Sequence, residues 1–162
     1  MTKMLADGNV KVTFAPTVLD IAAPLAATEL AAAGALDLQC LITADGLNIS
    51  ADEAVVSLPQ LCDTVDSEGP GRVKYGVDLT FYRHVATVDD KAWETIDRLL
   101  EGYLAIRYGA AHDTAWAAAD KALVFDGTFG ALKPLPTEAN GGVKFACKFY
   151  VDAVDLKAVC AA

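Results

Sequence analysis

The sequence predicts a mainly β protein in which two packed antiparallel sheets form a β-sandwich or a partly open barrel, with one flanking α-helix. Three observations support this prediction. Seven or eight short segments alternate apolar and polar residues, a single segment has a convincing helical period, and the long apolar runs of parallel strands are absent. No repeat or linker divides the chain, so one domain over residues 1–162 is expected.

The first elements follow in chain order. VKVTFA at 10–15 is typical of a strand that Pro16 ends, and the alanine-rich segment 23–34 predicts a short helix. LDLQCLIT at 36–43 alternates again and predicts a second strand. The segment 47–61 has a weaker pattern, which is compatible with two short strands or with part of a long loop.

The clearest strand is VKYGVDLTFY at 73–82, in which every second residue is apolar. One face of this strand is therefore expected to point to the core, and the other face, which includes Asp78, to point away from it. The residues of the apolar face are Val73, Tyr75, Val77, Leu79 and Phe81.

The segment DDKAWETIDRLLEG at 89–102 predicts the flanking helix. Trp93, Ile96, Leu99 and Leu100 recur at helical spacing, an aspartate can cap the start, and the final glycine can end it. We expect this helix to cover one open face of a sheet.

Three further strands complete the predicted sheets. GYLAIRYG at 102–109 and ALVFDGTFGAL at 122–132 are strand-like, and in 140–153 an Asn-Gly-Gly turn precedes a cleanly alternating strand. The alanine-rich segment 110–121 is expected to be a surface excursion between two of them.

Composition excludes some functions. The 162 residues include 13 basic and 22 acidic side chains, a net charge of −9, which argues against nucleic-acid binding because phosphates require clustered Lys and Arg. The hydrophobic fraction of 54% is high for a small monomer and suits a chain that buries surface against its own copies. The N-terminus lacks the pattern of a signal peptide, and the apolar stretch 18–36 is interrupted by polar residues and Pro24, so neither export nor a membrane span is expected.

No constellation of residues predicts a catalytic, cofactor or metal site. His84 and His112 lack partners at ligand spacing, and no serine lies in a nucleophile setting. Asp63, Asp66 and Glu68 could offer oxygen ligands to Ca²⁺, but their spacing does not match an EF-hand loop, so a solvated acidic loop is favoured. We therefore expect a protein that is not an enzyme and that has no cofactor.

The four cysteines are far apart in the sequence and form no metal-binding motif. They are Cys40, Cys62, Cys147 and Cys160. Reduced thiols in a protein made in the cytosol are the favoured interpretation, and a bridge between Cys40 and Cys62 is the alternative.

Several segments, taken in order, resemble the major tail protein, or tail tube protein, of siphophages infecting Actinobacteria. The most specific are ITADGLNI (42–49), LCDT (61–64), GPGR (69–72) and GYLAIRYG (102–109). The resemblance covers nearly the whole chain, and the alanine-rich segment 110–121 departs from it.

The resemblance implies two packed β-sheets flanked by a helix, and hexameric rings that stack into a tube through which the genome is delivered. The implied partners are further copies of the chain, a tape-measure protein, a tail terminator and a distal tail protein. DNA would pass through the tube without specific binding, and no membrane would take part. The implied location is the virion tail, after assembly in the host cytoplasm.

The resemblance also implies contacts between subunits. A long loop at about 47–72 is expected to reach an adjacent subunit or ring, with an ordinary hairpin loop packed on its own domain as the alternative. Residues at about 1–9 and about 153–162 are expected to be N- and C-terminal arms between rings. The candidate contact residues in the loop are Pro59, Leu61, Asp63, Asp66, Glu68, Gly69, Pro70, Gly71 and Arg72.

The strand 73–82 is expected to belong to the tube-forming sheet, with its polar face towards the lumen. Asp78 is the candidate lumen residue, because a wall of carboxylates would repel the phosphates of passing DNA.

Two other classes of function stay open at the level of sequence. A tail terminator would form one ring and stop, so that only filament growth distinguishes it from a tube protein. A β-sandwich binding module would need an exposed aromatic platform, and the Tyr and Trp residues of this chain are scattered. A hydrolase using Cys62 or Cys147 would lack a paired base.

Overall fold

The computed structural model describes residues 3–16, 25–57, 59–60, 62, 64–65, 68–137, 139 and 141–161. The strands are β1 (Val10–Ala15), β2 (Leu36–Asp37), β3 (Ile42–Ser57), β4 (Glu68–Tyr82), β5 (Glu101–Tyr108), β6 (Lys121–Phe129), β7 (Lys133–Pro134) and β8 (Lys144–Val159). The helices are α1 (Ala27–Leu30) and α2 (Lys91–Thr95). The protein is therefore mainly β, as the sequence predicts, and every strand pair is antiparallel.

The strands form one continuous curled sheet in place of two separate ones, which is the partly open barrel of the two arrangements that the sequence predicts. They pair along a single path, β2-β1-β5-β6-β8-β4-β3, with β7 added beside β8. Laid flat, the seven strands of this path would span roughly 29 Å at the usual strand spacing. Yet β2 and β3, at its two ends, are joined by residues 38–41 alone, a link that spans at most roughly 18 Å. The sheet must therefore curl until its ends approach each other, which gives a partly open barrel.

Phenylalanine rings fill the interior of this barrel. Phe129 makes edge contacts with both Phe14 and Phe149, at 4.9 Å between ring centroids in each case. Phe81 stacks on Phe145 at 5.1 Å across the β4–β8 pair. All five side chains are at most 1% exposed. Each such ring pair contributes about 0.5–1.5 kcal/mol beyond the burial of its apolar area, so this cluster fixes how the sheet closes.

The outer face of the sheet is covered only in part. Leu25 and Leu30, before and at the end of α1, pack with Trp116 from the alanine-rich segment against Tyr103 and Ala105 of β5. The strand β5 is consequently buried on both faces, which explains its continuous apolar run between Glu101 and Tyr108.

A buried arginine organises this cover. Arg107, 2% exposed, donates to Asp120 Oδ2 at 2.6 Å, and its guanidinium carbon lies 5.0 Å from the centre of the Trp116 ring. Its remaining contacts are the backbone carbonyls of Ala111 (3.3 Å), Thr114 (2.7 Å) and Ala115 (3.0 Å). The alanine-rich segment is thus an excursion over the surface, as expected, but one that is tied to the sheet by a charge.

The flanking helix is much shorter than the sequence predicts. In place of a helix over 89–102, α2 occupies Lys91–Thr95 only. Leu99 has a φ of 72° and is 65% exposed, because its N–H donates to the Phe129 carbonyl at 2.9 Å, while the Phe129 N–H donates to Leu100 at 2.9 Å. Pairing with β6 therefore outcompetes the helical hydrogen bonds. With the four-residue α1, the fold has two short helices among its described residues and no long one.

Two expected chain segments are also corrected. The long loop at about 47–72 is mostly strand, because β3 runs to Ser57 and β4 starts at Glu68. The expected C-terminal arm from 153 onwards continues as β8 to Val159, which pairs with Lys121 of β6. The described N-terminal residues 3–9 do precede the first strand, and the carbonyls of Gly8 and Asn9 accept hydrogen bonds from His112 and Gly109.

Candidate assembly surfaces

The outer half of the β3–β4 hairpin forms an arm that extends beyond the barrel. Residues 51–57 and 68–74 are all exposed or half-exposed, whereas Val77, Leu79 and Phe81 further along β4 are completely buried. The alternation predicted for 73–82 is therefore confirmed where the strand enters the barrel, while Val73 lies in the arm and is 43% exposed. We define the arm as residues 51–75.

The arm has regular cross-strand pairing but no layer packed over it. Asp52 lies opposite Lys74, and the register shifts between Glu53 and Val55. Opposite this shift a Cβ on Gly71 would lie 2.9 Å from a methyl group of Val56, so only glycine allows the two strands to approach. Two strands without a packed face are marginally stable in water, so an arm of this kind is suited to pairing with another surface.

Two strand edges next to the arm are open. β3 ends the sheet path and pairs with β4 on one side only, among the strands of the described chain. β4 and β8 are paired from Tyr82, opposite Lys144, as far as Gly76, opposite Tyr150. Beyond this point β4 continues into the arm, and β8 continues along β6. Unpaired edges of this type are ready templates for a strand of another chain.

A cleft of about 350 Å³ opens where β4 and β8 separate. It is lined by Arg72, Val73, Lys74, Tyr75, Val151, Asp152, Ala153 and Val154. A second cavity, of about 530 Å³, lies at the seam of the barrel between the start of β3 and the start of β1, where Val12 and Leu47 face it. The seam cavity is the opening that leaves the barrel incompletely closed.

The face of β4 and β8 that points away from the core carries alternating charges. Asp78 pairs with Lys148 at 3.8 Å, with both side chains nearly half exposed, and the ammonium of Lys144 lies 5.5 Å from the centre of the Tyr82 ring. Asp78, the predicted lumen residue, thus lies on an uncovered polar face, beside a lysine that the sequence analysis did not place there.

Three carboxylates near this face repel one another, and this gives a prediction. Partial burial, followed by the charges of Asp152 and Glu101, raises the pKa of Asp126, although the Gly127 N–H partly opposes the shift. Because the pKa of Asp126 is higher in the folded state than in the unfolded state, the folded state gains stability as pH falls through the folded pKa. At pH 7 the ionised carboxylate of Asp126 therefore destabilises the fold. We expect Asp126→Asn to raise the Tm at pH 7 by on the order of 1 °C, with no gain below pH 3.8, the ordinary pKa.

Thermal melts at pH 7 and pH 3 measure this effect. The exposed loop residue Asp113 provides a matched control, and Asp113→Asn is expected to leave the Tm unchanged at both pH values. A gain for Asp126→Asn that is the same at both pH values would contradict the electrostatic explanation.

The described residues contain no group of three His, Cys, Asp or Glu side chains that could hold a metal ion. The backbone N–H of His84 donates to Asp90 at 3.2 Å, and His112 lines the seam cavity. Within the same residues, no helix has the length and apolarity needed to cross a membrane.

The predicted contact residues divide into three groups. Glu68, Gly69, Pro70, Gly71 and Arg72 belong to the first part of β4, within the arm. Pro59 lies between the strands, while Leu61, Asp63 and Asp66 fall outside the described residues. Sequence reasoning missed the exposed valines of the arm, Val55 and Val56. Two adjacent valines in an acidic segment without alternation were the feature of the sequence that could have indicated their exposure.

Comparison with known proteins decides which family this architecture belongs to. A family model described as phage tail tube protein matches residues 1–162, the whole chain. The chain belongs to the phage tail tube protein family. No curated protein matches the sequence.

A solved structure shares the fold of this tail tube protein. It is a chain of the baseplate of the anti-feeding prophage, determined by cryo-EM with six-fold symmetry, and it superposes with a TM-score of 0.57. The match covers 96% of both chains at 8% sequence identity. At this identity the likeness concerns the fold alone, and it extends over the barrel and the arm together.

Proposed function

We propose that this tail tube protein self-assembles into hexameric rings, and that the rings stack into the tail tube of a siphophage infecting Actinobacteria. The phage genome would pass through this tube on delivery. Membership in the family makes the chain a structural component of a phage tail. The finer statement about host and tail type is based on the sequence resemblance in ITADGLNI, GPGR and GYLAIRYG.

The observation that most strongly supports assembly is the arm. A two-stranded arm with unpaired edges and exposed valines would be a liability in a monomer, because it invites association with other chains. Within a ring the same features become contacts, since each arm can pair with a neighbouring copy. The six-fold symmetry of the baseplate that contains the structural neighbour supports six copies in each ring.

The uncovered polar face of β4 and β8 is the proposed lumen wall. The opposite face of β4 and β8 packs on the phenylalanine core, and the outer face of β5 is covered by Trp116. The uncovered face of β4 and β8 is therefore the polar sheet surface that a channel can use. Asp78 and Lys148 would then form paired charges along the wall. DNA would slide over such a surface, because the Asp78 carboxylate offsets the charge of Lys148 that would otherwise retain a phosphate.

The proposed role is structural throughout, without catalysis or a cofactor. Assembly would take place in the host cytoplasm, and a tape-measure protein, a tail terminator and a distal tail protein would set the length and the ends of the tube. The single-ring terminator remains the competing role, and it would show no growth beyond one ring.

A cryo-EM reconstruction of assembled particles tests the proposal directly. We expect six subunits in each ring and expect Asp78 and Lys148 on the channel wall. A channel lined by the Trp116 side of the subunit would contradict the lumen assignment, and a different number of subunits would contradict the hexamer.

A further inference from the structure

Three aspartates of the chain are followed directly by glycine. They are Asp7, Asp45 and Asp126. An Asp-Gly pair can react with itself, because the glycine has no side chain to screen its amide nitrogen from the carboxyl carbon of the aspartate. Ring closure requires the aspartate backbone to rotate into a turn. The surroundings of each pair therefore decide whether it reacts in the folded protein.

Asp7 and Gly8 form an open turn before β1. The N–H of Asn9 donates to the Ala6 carbonyl at 2.9 Å, which places Asp7 and Gly8 at the centre of the turn, and Gly8 has a φ of 71°. Both residues are exposed, and a Cβ on Gly8 would meet no atom within 4 Å. Among the described residues, no acceptor engages the Gly8 N–H. The Gly8 nitrogen can therefore approach the Asp7 carboxyl group without disturbing any neighbour.

The Asp45 pair is held by close packing. A Cβ on Gly46 would lie 2.5 Å from the carbonyl oxygen of Thr80, so the backbone of β3 lies directly against β4 at this point. Asp45 also accepts a hydrogen bond of 3.4 Å from the Thr43 hydroxyl. Rotation of the Asp45 backbone would therefore have to displace β4.

The Asp126 pair is held by the sheet. Gly127 lies opposite Gly102 of β5 on one side and opposite Val151 of β8 on the other. Its N–H does contact the Asp126 carboxylate, so the two reacting groups are neighbours here as well. The backbone is extended, however, and would have to leave both ladders before the ring could close.

We propose that Asp7 isomerises spontaneously to isoaspartate in the folded protein, and that this change releases the N-terminal strap. We define the strap as the described residues 3–9. The reaction takes place within one chain, so the inference does not depend on the proposed function, and either can fail without the other.

The reaction balances without a metal, an oxidant or a partner enzyme. The Gly8 nitrogen loses its proton and forms a bond to Cγ of Asp7, while a C–O bond of the carboxyl group breaks and one water molecule leaves. Water then cleaves the ring at the bond between the Gly8 nitrogen and the backbone carbonyl carbon of Asp7. The chain afterwards runs through Cβ and Cγ of Asp7, and its mass is unchanged.

Isoaspartate would disturb the contacts that fasten the strap. The Gly8 carbonyl accepts a hydrogen bond of 2.9 Å from His112, and the Asn9 carbonyl accepts one of 3.0 Å from Gly109. The new linkage adds one backbone carbon between Cα of Asp7 and the Gly8 nitrogen, so the turn loses its geometry and both carbonyls move. Three residues of the strap also line the seam cavity, which would open more widely.

Peptide mapping of the purified full-length protein, after prolonged incubation at neutral pH, measures the reaction at each site. Trypsin cleaves after Lys3 and Lys11, so Asp7 lies in a short peptide apart from the other two pairs. Chromatography separates the isoaspartyl form of this peptide at unchanged mass. We expect Asp7 to isomerise at least about tenfold faster than Asp45 and Asp126 in the folded protein, because those two sites must first open locally.

The same protein unfolded in guanidinium provides the reference. All three pairs should react there at similar rates, since the structure no longer distinguishes them. Equal rates at the three sites of the folded protein, or a folded-state rate at Asp7 that is suppressed as strongly as at Asp45 and Asp126, would overturn the proposal.

Hydrogen exchange at the His112 and Gly109 amides tests the release of the strap. Both amides should exchange faster in aged wild-type protein than in fresh protein. Asp7→Glu is the matched control, because it keeps the charge while its longer side chain closes a ring far more slowly, and its exchange should not change with age. Unchanged exchange in wild-type protein that contains isoaspartate would overturn the release. The same increase in aged Asp7→Glu would overturn its assignment to Asp7.

Discussion

Replacing residues 53–73 by Asn-Gly is expected to give a folded protein that no longer forms polymers. Asp52 and Lys74 lie directly opposite each other in the arm. A two-residue Asn-Gly turn can therefore connect them and form a shorter hairpin. The change removes the outer end of the hairpin, the exposed Val55 and Val56, and the outer part of the open edge of β3. Polymer measured by sedimentation should fall below detection, because the contacts that the arm is proposed to make with neighbouring copies are lost.

The same variant shows whether the arm is separable from the fold. Both buried clusters consist of residues outside 53–73, so the melting temperature should stay within a few degrees of the wild-type value. A truncated protein that polymerises as well as the wild type would contradict the role of the arm. A truncated protein that melts far below the wild type would show instead that the arm is part of the core structure.

Arg107→Ala is expected to cause the largest loss of stability for a single substitution outside the phenylalanine core. The change leaves three backbone carbonyls and Asp120 without their donor and opens a space beneath Trp116. We expect the free energy of unfolding to fall by about 3 kcal/mol, measured by urea denaturation at pH 7. Arg107→Lys should recover only part of this loss, because one ammonium cannot serve four acceptors in different directions.

Arg98→Ala provides the matched control for this prediction, because Arg98 is exposed and lies three residues after the end of α2. Its unfolding free energy is expected to stay within about 0.5 kcal/mol of the wild type. Equal effects of Arg98→Ala and Arg107→Ala would mean that the buried guanidinium does not hold the cover in place.

Acid should weaken the same network. Burial opposes ionisation of Asp120, but the Ala117 N–H and the Arg107 guanidinium outweigh it and lower the pKa of Asp120. A carboxylate whose pKa is lowered on folding stabilises the folded state when the pH is above the pKa of the unfolded state. This stabilisation is lost as the pH falls through the pKa of the folded state. The difference between wild type and Arg107→Ala should therefore shrink below pH 3.8, the ordinary pKa of this group.

The strands could be predicted wherever one face is buried. Val77, Leu79 and Phe81 alternate with polar residues because burial selects every second side chain, and the same holds for Phe145, Cys147 and Phe149 in β8. In the arm neither face is buried, so nothing imposes alternation on residues 51–57, and the sequence pattern could not distinguish a strand from a loop there.

The predicted helix at 89–102 failed for a tertiary reason. Its period is real, and Trp93 does pack on Phe145 at 5.0 Å, but the chain must turn at Leu99 to begin β5 at Glu101. Gly102, expected to end the helix, is instead a strand residue with a φ of 155°, and a Cβ there would lie 2.8 Å from the Phe14 ring. Such long-range backbone pairing leaves no local signal in the sequence.

Of the assembly surfaces, the general location of the arm and the polar face around Asp78 could be predicted. The acidic segment and the GPGR glycines indicated the outer part of the arm, and Asp78 indicated the polar face. The opening between β4 and β8 depends on the end of their pairing at Gly76 and Tyr150, which no pattern of residue types predicts.

Negative-stain electron microscopy of the purified wild-type protein, across a series of protein concentrations, tests the central claim most directly. We predict rings that stack into tubes whose length grows with concentration, since a heterologous contact repeats without closing. Monodisperse monomers at every concentration would contradict the claim that this tail tube protein assembles through its own surfaces, and single rings that never stack would support the terminator role instead.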